Sequence, residues 1–203
     1  MSKNRPMARK NPSQARSAET VSFIIEAAAR ILETAGHDGF STNAVASTAG
    51  VSIGTLYQYF PNKDAIVGAL LDREAAQLLV GTEDALEQPT AEEALSVLIS
   101  AAIEHQFRRP KLARFLDFEE ARFPCDIVTL NVNNKVTEAA AQILERFNLL
   151  IEEDKNIAAR DLIAIMKGII DTAGSNAETD YLTVESRVRR AIFGYLSLHD
   201  ART

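Results

Sequence analysis

Cysteine occurs once in these 203 residues, at Cys125. No internal disulfide is available, and the chain suits a reducing cytoplasm. Only six prolines and nine glycines interrupt long stretches of helix-forming residues, which argues against a sheet protein. No run of eighteen apolar residues occurs, so no membrane span is expected. The opening residues 1–17, MSKNRPMARKNPSQARS, are polar and basic and lack the apolar core of a secretory signal. Catalytic signatures are missing too: there is no HExxH, no phosphate-cradling glycine loop and no Ser/His/acid grouping at a recognisable spacing. His37, His105 and His199 lie far apart, without cysteines or carboxylates at ligand spacing. An enzyme, a metal site and a cofactor are therefore not expected. The length allows one domain or two small ones, with a substantial core.

What charge there is lies unevenly. Up to Lys63, seven Lys/Arg stand against four Asp/Glu, net +3; from Asp64 onward 15 stand against 24, net −9. The overall −6 hides a positive end and an acidic body. A polyanion meets the local field, so this asymmetry suits a nucleic acid held at one end and repelled elsewhere. Arg5, Arg9, Lys10 and Arg16 form either a basic arm toward such a partner or a solubilising tail; both readings stay open.

The organising stretch is Ser41 to Lys63, STNAVASTAGVSIGTLYQYFPNK. It reads as two short helices around a tight turn. Ser41 can cap the first helix, Val45, Ala46 and Ala49 give it a small apolar face, and Gly50 stands where a left-handed residue is expected. Ser52 can cap the second, Ile53 to Phe60, in which Ile53, Leu56 and Phe60 read as inward. Gly54, Thr55, Tyr57, Gln58 and Tyr59 are left, with no acidic residue among them. A solvated face would carry glutamates and lysines. This one offers hydroxyls, an amide and two phenols on a slim rod, which suits a major groove. The residues by themselves equally allow a packed helical hairpin with two buried tyrosines.

AGVSIGTLYQYFPNKDAIV resembles the DNA-binding domain of the tetracycline-repressor (TetR) family of transcriptional regulators, whose helix-turn-helix has the pattern AGVS-x-G-x-LY-x-(H/Y)F-x-x-K. Ala49, Gly50, Val51, Ser52, Gly54, Leu56, Tyr57, Tyr59, Phe60 and Lys63 all match. The likeness extends from about Ala18 to about Leu71; beyond that only helical composition and length are shared. It departs at His37, where the family usually has an aromatic, and Phe40 is expected to fill that place. The resemblance implies an all-α fold of about nine helices: a flexible arm (1–17), a helix-turn-helix domain (18–71) and a helical effector-binding and dimerisation domain (72–203). It implies double-stranded DNA as partner, a small-molecule effector of unknown identity and a homodimer. The DNA contacts would be Ser41 and Thr42 at phosphate, Asn43, Ile53, Gly54, Thr55 and Gln58 at base edges, and Ser52, Tyr57, Tyr59 and Lys63 on the backbone.

In the body, apolar residues at helical spacing predict helices over about 63–83, 91–108, 111–123, 127–147, 156–173 and 183–199. The fourth to seventh helices of the chain are expected to enclose an effector pocket lined by His105, Phe107, Phe115, Phe118 and Phe123. The last two helices carry more apolar surface than one face each, and the resemblance implies that they pair with their copies, through Ile165, Ile169, Val188, Ile192 and Tyr195. A ligand-responsive repressor of a palindromic operator is the reading these features favour. The competing class is a helical protein-interaction module that does not read DNA; an activator or dual regulator ranks below both.

Overall fold

The computed structural model describes residues 15–121, 127–147 and 155–198. Among them the chain forms nine α-helices: α1 (Ala15–Gly39), α2 (Thr42–Thr48), α3 (Ile53–Tyr59), α4 (Lys63–Leu86), α5 (Ala91–Phe107), α6 (Pro110–Ala121), α7 (Ile127–Arg146), α8 (Lys155–Ser175) and α9 (Tyr181–Leu198). The basic residues Arg5, Arg9 and Lys10, with Phe123, Cys125 and His199, lie outside the described residues. No helix among those described is long and apolar enough to cross a membrane.

Two compact units form. The first draws on Met1–Glu74 and Lys111–Ile127, the second on Ala75–Pro110 and Val128–Thr203. α4 is one continuous helix that contributes to both. This division differs from the expected boundary after Leu71, because α6 belongs to the first unit. Its Leu112 and Leu116 are buried in the same core as Ile24, Leu32, Leu56, Phe60, Ile66 and Leu70, and apolar side chains group where they can leave water together.

Within the first unit, α1 bends at Gly36, whose φ of 64° only a residue without Cβ adopts readily, and ends a turn later than the glycine predicts. Phe40 is buried behind it, as the missing aromatic requires. Its ring stands edge-on to Phe115 at 6.4 Å, and His37 lies 6.2 Å from the same ring. An ion-pair chain ties α1 to α4: Arg30 to Glu26 at 3.2 Å, Glu26 to Arg73 at 3.0 Å, and Arg73 to the buried Glu74 at 2.7 Å.

In the second unit, Thr90 caps α5 by accepting from the Glu93 amide at 3.2 Å, while its hydroxyl donates to the Glu93 carboxylate at 2.8 Å. Pro110 begins α6, where its missing N–H costs nothing. The asparagines 131, 133 and 134 point outward from a regular α7, so they do not delay its start. Leu95, Leu98 and Ile99 of α5 share a core with Ile143 and Leu144 of α7, Leu162 and Met166 of α8, and Val188 and Ile192 of α9.

Candidate nucleic-acid interface

The α2–α3 pair is held by local bonds at each end and at the turn. Ser41 accepts the Ala44 amide at 3.2 Å, satisfying one of the free N–H groups of α2. Gly50, at φ 68°, lets the chain reverse, and the Val51 amide reaches the Ala46 carbonyl at 3.0 Å across it, closing the helix end. Ser52 then accepts the Thr55 amide at 3.0 Å and shares a 2.8 Å bond with the Thr55 hydroxyl. Asn62 does the same for α4, accepting the Ala65 amide at 2.9 Å. Each cap is neutral, so none adds negative charge to the surface it stabilises. Leu56 and Phe60 are fully buried and fix the roll of α3.

The opposite side of α3 is open. Ile53 is 39% exposed and Tyr57 43%. Both stand on the same side as Gly54 and Gln58, which are also exposed. Ile53 thus departs from the expectation that it points inward. It is the first helical residue, just out of the turn; Leu56 and Phe60 are the side chains fully buried in the core, with Tyr59 packed at its edge. A Cβ placed on Gly54 would meet nothing nearer than the Ser52 Oγ at 3.7 Å, so packing within the chain does not require glycine there. Thr42 at the start of α2 and Tyr57 on α3 share a hydrogen bond at 3.2 Å, a link that sequence spacing did not reveal. Asn43 and Lys63 are exposed, and Thr55 and Tyr59 half-buried.

Residues 24–70 match the sequence model of the bacterial regulatory proteins of the tetR family. That stretch, which holds α2 and α3, is a TetR-family domain. Among its relatives, an HTH-type transcriptional regulator of Staphylococcus aureus is 29% identical over 122 residues, 56% of this chain and 55% of that one. The fatty acid metabolism regulator protein of Bacillus subtilis is 36% identical over 78 residues, covering 38% and 40% of the two chains. The chain thus spans about half the length of the first of these curated relatives and less of the second. Solved structures share the fold over nearly the whole chain. The fatty acid degradation regulator FadR of Bacillus halodurans superposes with a TM-score of 0.72 at 18% identity, covering 93% of this chain and 97% of that one. A TetR-family regulator of Streptomyces coelicolor gives 0.66 at 25% identity, covering 90% and 98%.

Of the residues expected to line an effector pocket, His105 and Phe107 belong to the second unit, Phe115 and Phe118 to the first, and Phe123 lies outside the described residues. His105 lines a cleft of about 290 Å³ between α4 and α5, with Gln77, Leu78, Val80, Gly81, Asp84, Ala101, Glu104 and Arg108. Phe107 packs on the core of the second unit instead. Phe115 packs in the core of the first unit, and Phe118, on the same helix, is 66% exposed. Aromatic composition pointed to α6, but α6 spends its apolar face on the helix-turn-helix core. The α4 side of the cleft carried no signal in the sequence, because Gln77 and Asp84 look like ordinary solvated positions. Among the described residues no group of three or more His, Cys, Asp or Glu is placed to hold a metal.

The dimerisation residues divide as well. Val188 and Ile192 are fully buried within their own unit, so they are withdrawn as partner contacts: helical spacing shows an apolar stripe without showing what covers it. Ile165, Ile169 and Tyr195 are half-buried at its edge. Tyr195 donates to Asp161 at 3.1 Å, joining α9 to α8.

Proposed function

We propose that this chain is a DNA-binding transcriptional regulator, acting in the cytoplasm as a homodimeric repressor that leaves a pseudopalindromic operator when a small molecule binds the body. The observation that carries the reading is the outward side of α3: exposed, free of acids, slim at Gly54, and held rigid from behind by Leu56 and Phe60. A helix of seven residues reads few base pairs, so two heads on successive major grooves supply specificity. Ser41 and Thr42, with Ser52, Tyr57, Tyr59 and Lys63, set the head on the phosphates; Asn43, Ile53, Gly54, Thr55 and Gln58 face the bases.

Dimerisation through α8 and α9 is supported by exposed small residues on both helices, Ala164 and Gly168 on one and Gly194 and Ser197 on the other, flanked by Ile165, Ile169 and Tyr195. Fatty acids are the first effectors to screen, since two of the similar proteins carry that role in their names. Selection of sites from random duplex DNA tests the core of the proposal. Recovery of a palindrome, lost in a Tyr57→Ala/Lys63→Ala double variant, is the expected result. No enrichment from a folded dimer at low salt would favour the protein-interaction module instead.

A further inference from the structure

Polar side chains around α3 fall into two groups, those already used within the chain and those left over. The Ser41 hydroxyl caps α2, the Ser52 hydroxyl caps α3 and also engages Thr55, and the Tyr57 hydroxyl is held by Thr42. Asn43 and Gln58 are exposed, and neither has a hydrogen-bond partner among the described residues. Both are amides. Between Ser41 and Asn62 there is no Arg, Lys, Asp or Glu, and Lys63 stands past the end of α3, at the start of α4.

We infer that α3 and the start of α2 select A·T base pairs, through adenine edges read by the Gln58 and Asn43 amides and a thymine methyl read by Ile53. This rests on the proposal that α3 enters the major groove. The commonest reading of guanine pairs its O6 and N7 acceptors with the two donors of an arginine or a lysine, and cytosine is read by a carboxylate. Neither occurs between Ser41 and Asn62. An amide presents one donor and one acceptor side by side, which matches N7 and the N6 amino group of adenine. Ile53 exposes only hydrocarbon, whose partner in the groove is the C5 methyl of thymine. Gly54, which carries no side chain of its own on this face, allows Ile53 and Gln58 to approach the bases together.

The test uses the full chain and the site recovered from random duplex DNA, remade with single-atom base changes. Replacing thymine by uracil at the Ile53 position is expected to weaken wild-type binding about fourfold for each half-site changed, and to leave Ile53→Ala unaffected. Replacing adenine by 7-deazaadenine opposite Gln58 removes the N7 acceptor; it is expected to cost about tenfold in the wild type and nothing in Gln58→Ala. Both side chains are exposed, so these variants fold, and the base analogues give an answer on unmodified protein in any case. A palindrome whose Gln58- or Ile53-dependent positions are G·C overturns the inference while leaving the regulator intact. Failure to recover any site from folded protein overturns both.

Discussion

The two units are built from the same material and treat their outer surfaces differently. Each buries leucine, isoleucine, valine and alanine at helical spacing. On the body helices the outward positions are ordinary: Lys167 pairs with Asp171 at 3.0 Å and Arg189 with Glu185 at 2.7 Å, both one turn apart. Along α2 and α3 no charged side chain of either sign appears. The body therefore serves as an internal control for the head. It shows what this chain does with a helix face that needs only to be soluble. The uncharged face of α3 is a departure that solubility does not explain, and contact with a partner does.

Glycine exposes the contrast most sharply. A Cβ on Gly54 would make only an ordinary contact, with the Ser52 Oγ at 3.7 Å, whereas one on Gly174 would fall 2.4 Å from the Nε2 of Gln106, which is itself buried. Gly54→Leu is expected to leave the melting temperature unchanged or slightly higher, since glycine is a poor helix former. It is expected to weaken operator binding by about 1,000-fold or more, at roughly 2–3 kcal/mol of steric conflict in each of two heads. Gly174→Ala reverses the pattern, losing about 1–3 kcal/mol of stability by overpacking while the folded protein still binds DNA. Calorimetry and an operator titration on both variants decide the matter. A Gly54→Leu variant that binds normally would remove α3 from the groove.

The same contrast explains what could be read before the structure. In the head, local rules act on adjacent residues: caps at Ser41 and Ser52 and the turn at Gly50 are each determined within three or four positions, and each is found where the pattern puts it. The Thr42–Tyr57 bond joins residues fifteen apart and could not be inferred that way. In the body, periodicity located the helices but not their neighbours. It could not tell that α6 packs with the helix-turn-helix core, nor that Val188 and Ile192 are covered by their own unit. An apolar stripe specifies that something covers it; which element does so depends on contacts distant in sequence.

Lysines give a comparison of intermediate size. Lys63 is exposed beside the uncharged face, and Lys167 is exposed on the body with Asp171 as partner. Lys63→Ala is expected to weaken binding about equally for operator and unrelated duplex. It is also expected to lower the slope of log affinity against log salt by about one for each subunit. Lys167→Ala is expected to leave the slope unchanged and to alter stability by no more than about 0.5 kcal/mol. A salt titration with an unchanged slope for Lys63→Ala would take that residue off the phosphates.

The smallest effect concerns the caps. Those of the head, Ser41, Ser52 and Asn62, are neutral, whereas α9 in the body is capped by a carboxylate. Asp180 accepts the Thr183 hydroxyl at 2.7 Å and the Thr183 amide at 3.1 Å. These two bonds, the hydroxyl's first, hold its pKa below the ordinary 3.8. Because the folded-state value is depressed, the stabilisation is fully present above 3.8 and is lost as pH falls through the folded value. Asp180→Asn keeps a capping oxygen but has no charge to lose. At neutral pH the variant is expected to exchange the amides in the first turn of α9 faster than the wild type, and the gap is expected to close as the solution is acidified below 3.8. Amides at the start of α2 and α3, under neutral caps, are expected to show no such closing step. A gap at α9 that persists unchanged at low pH would mean that Asp180 acts there by shape alone, and the head and body caps would then differ in chemistry without differing in consequence.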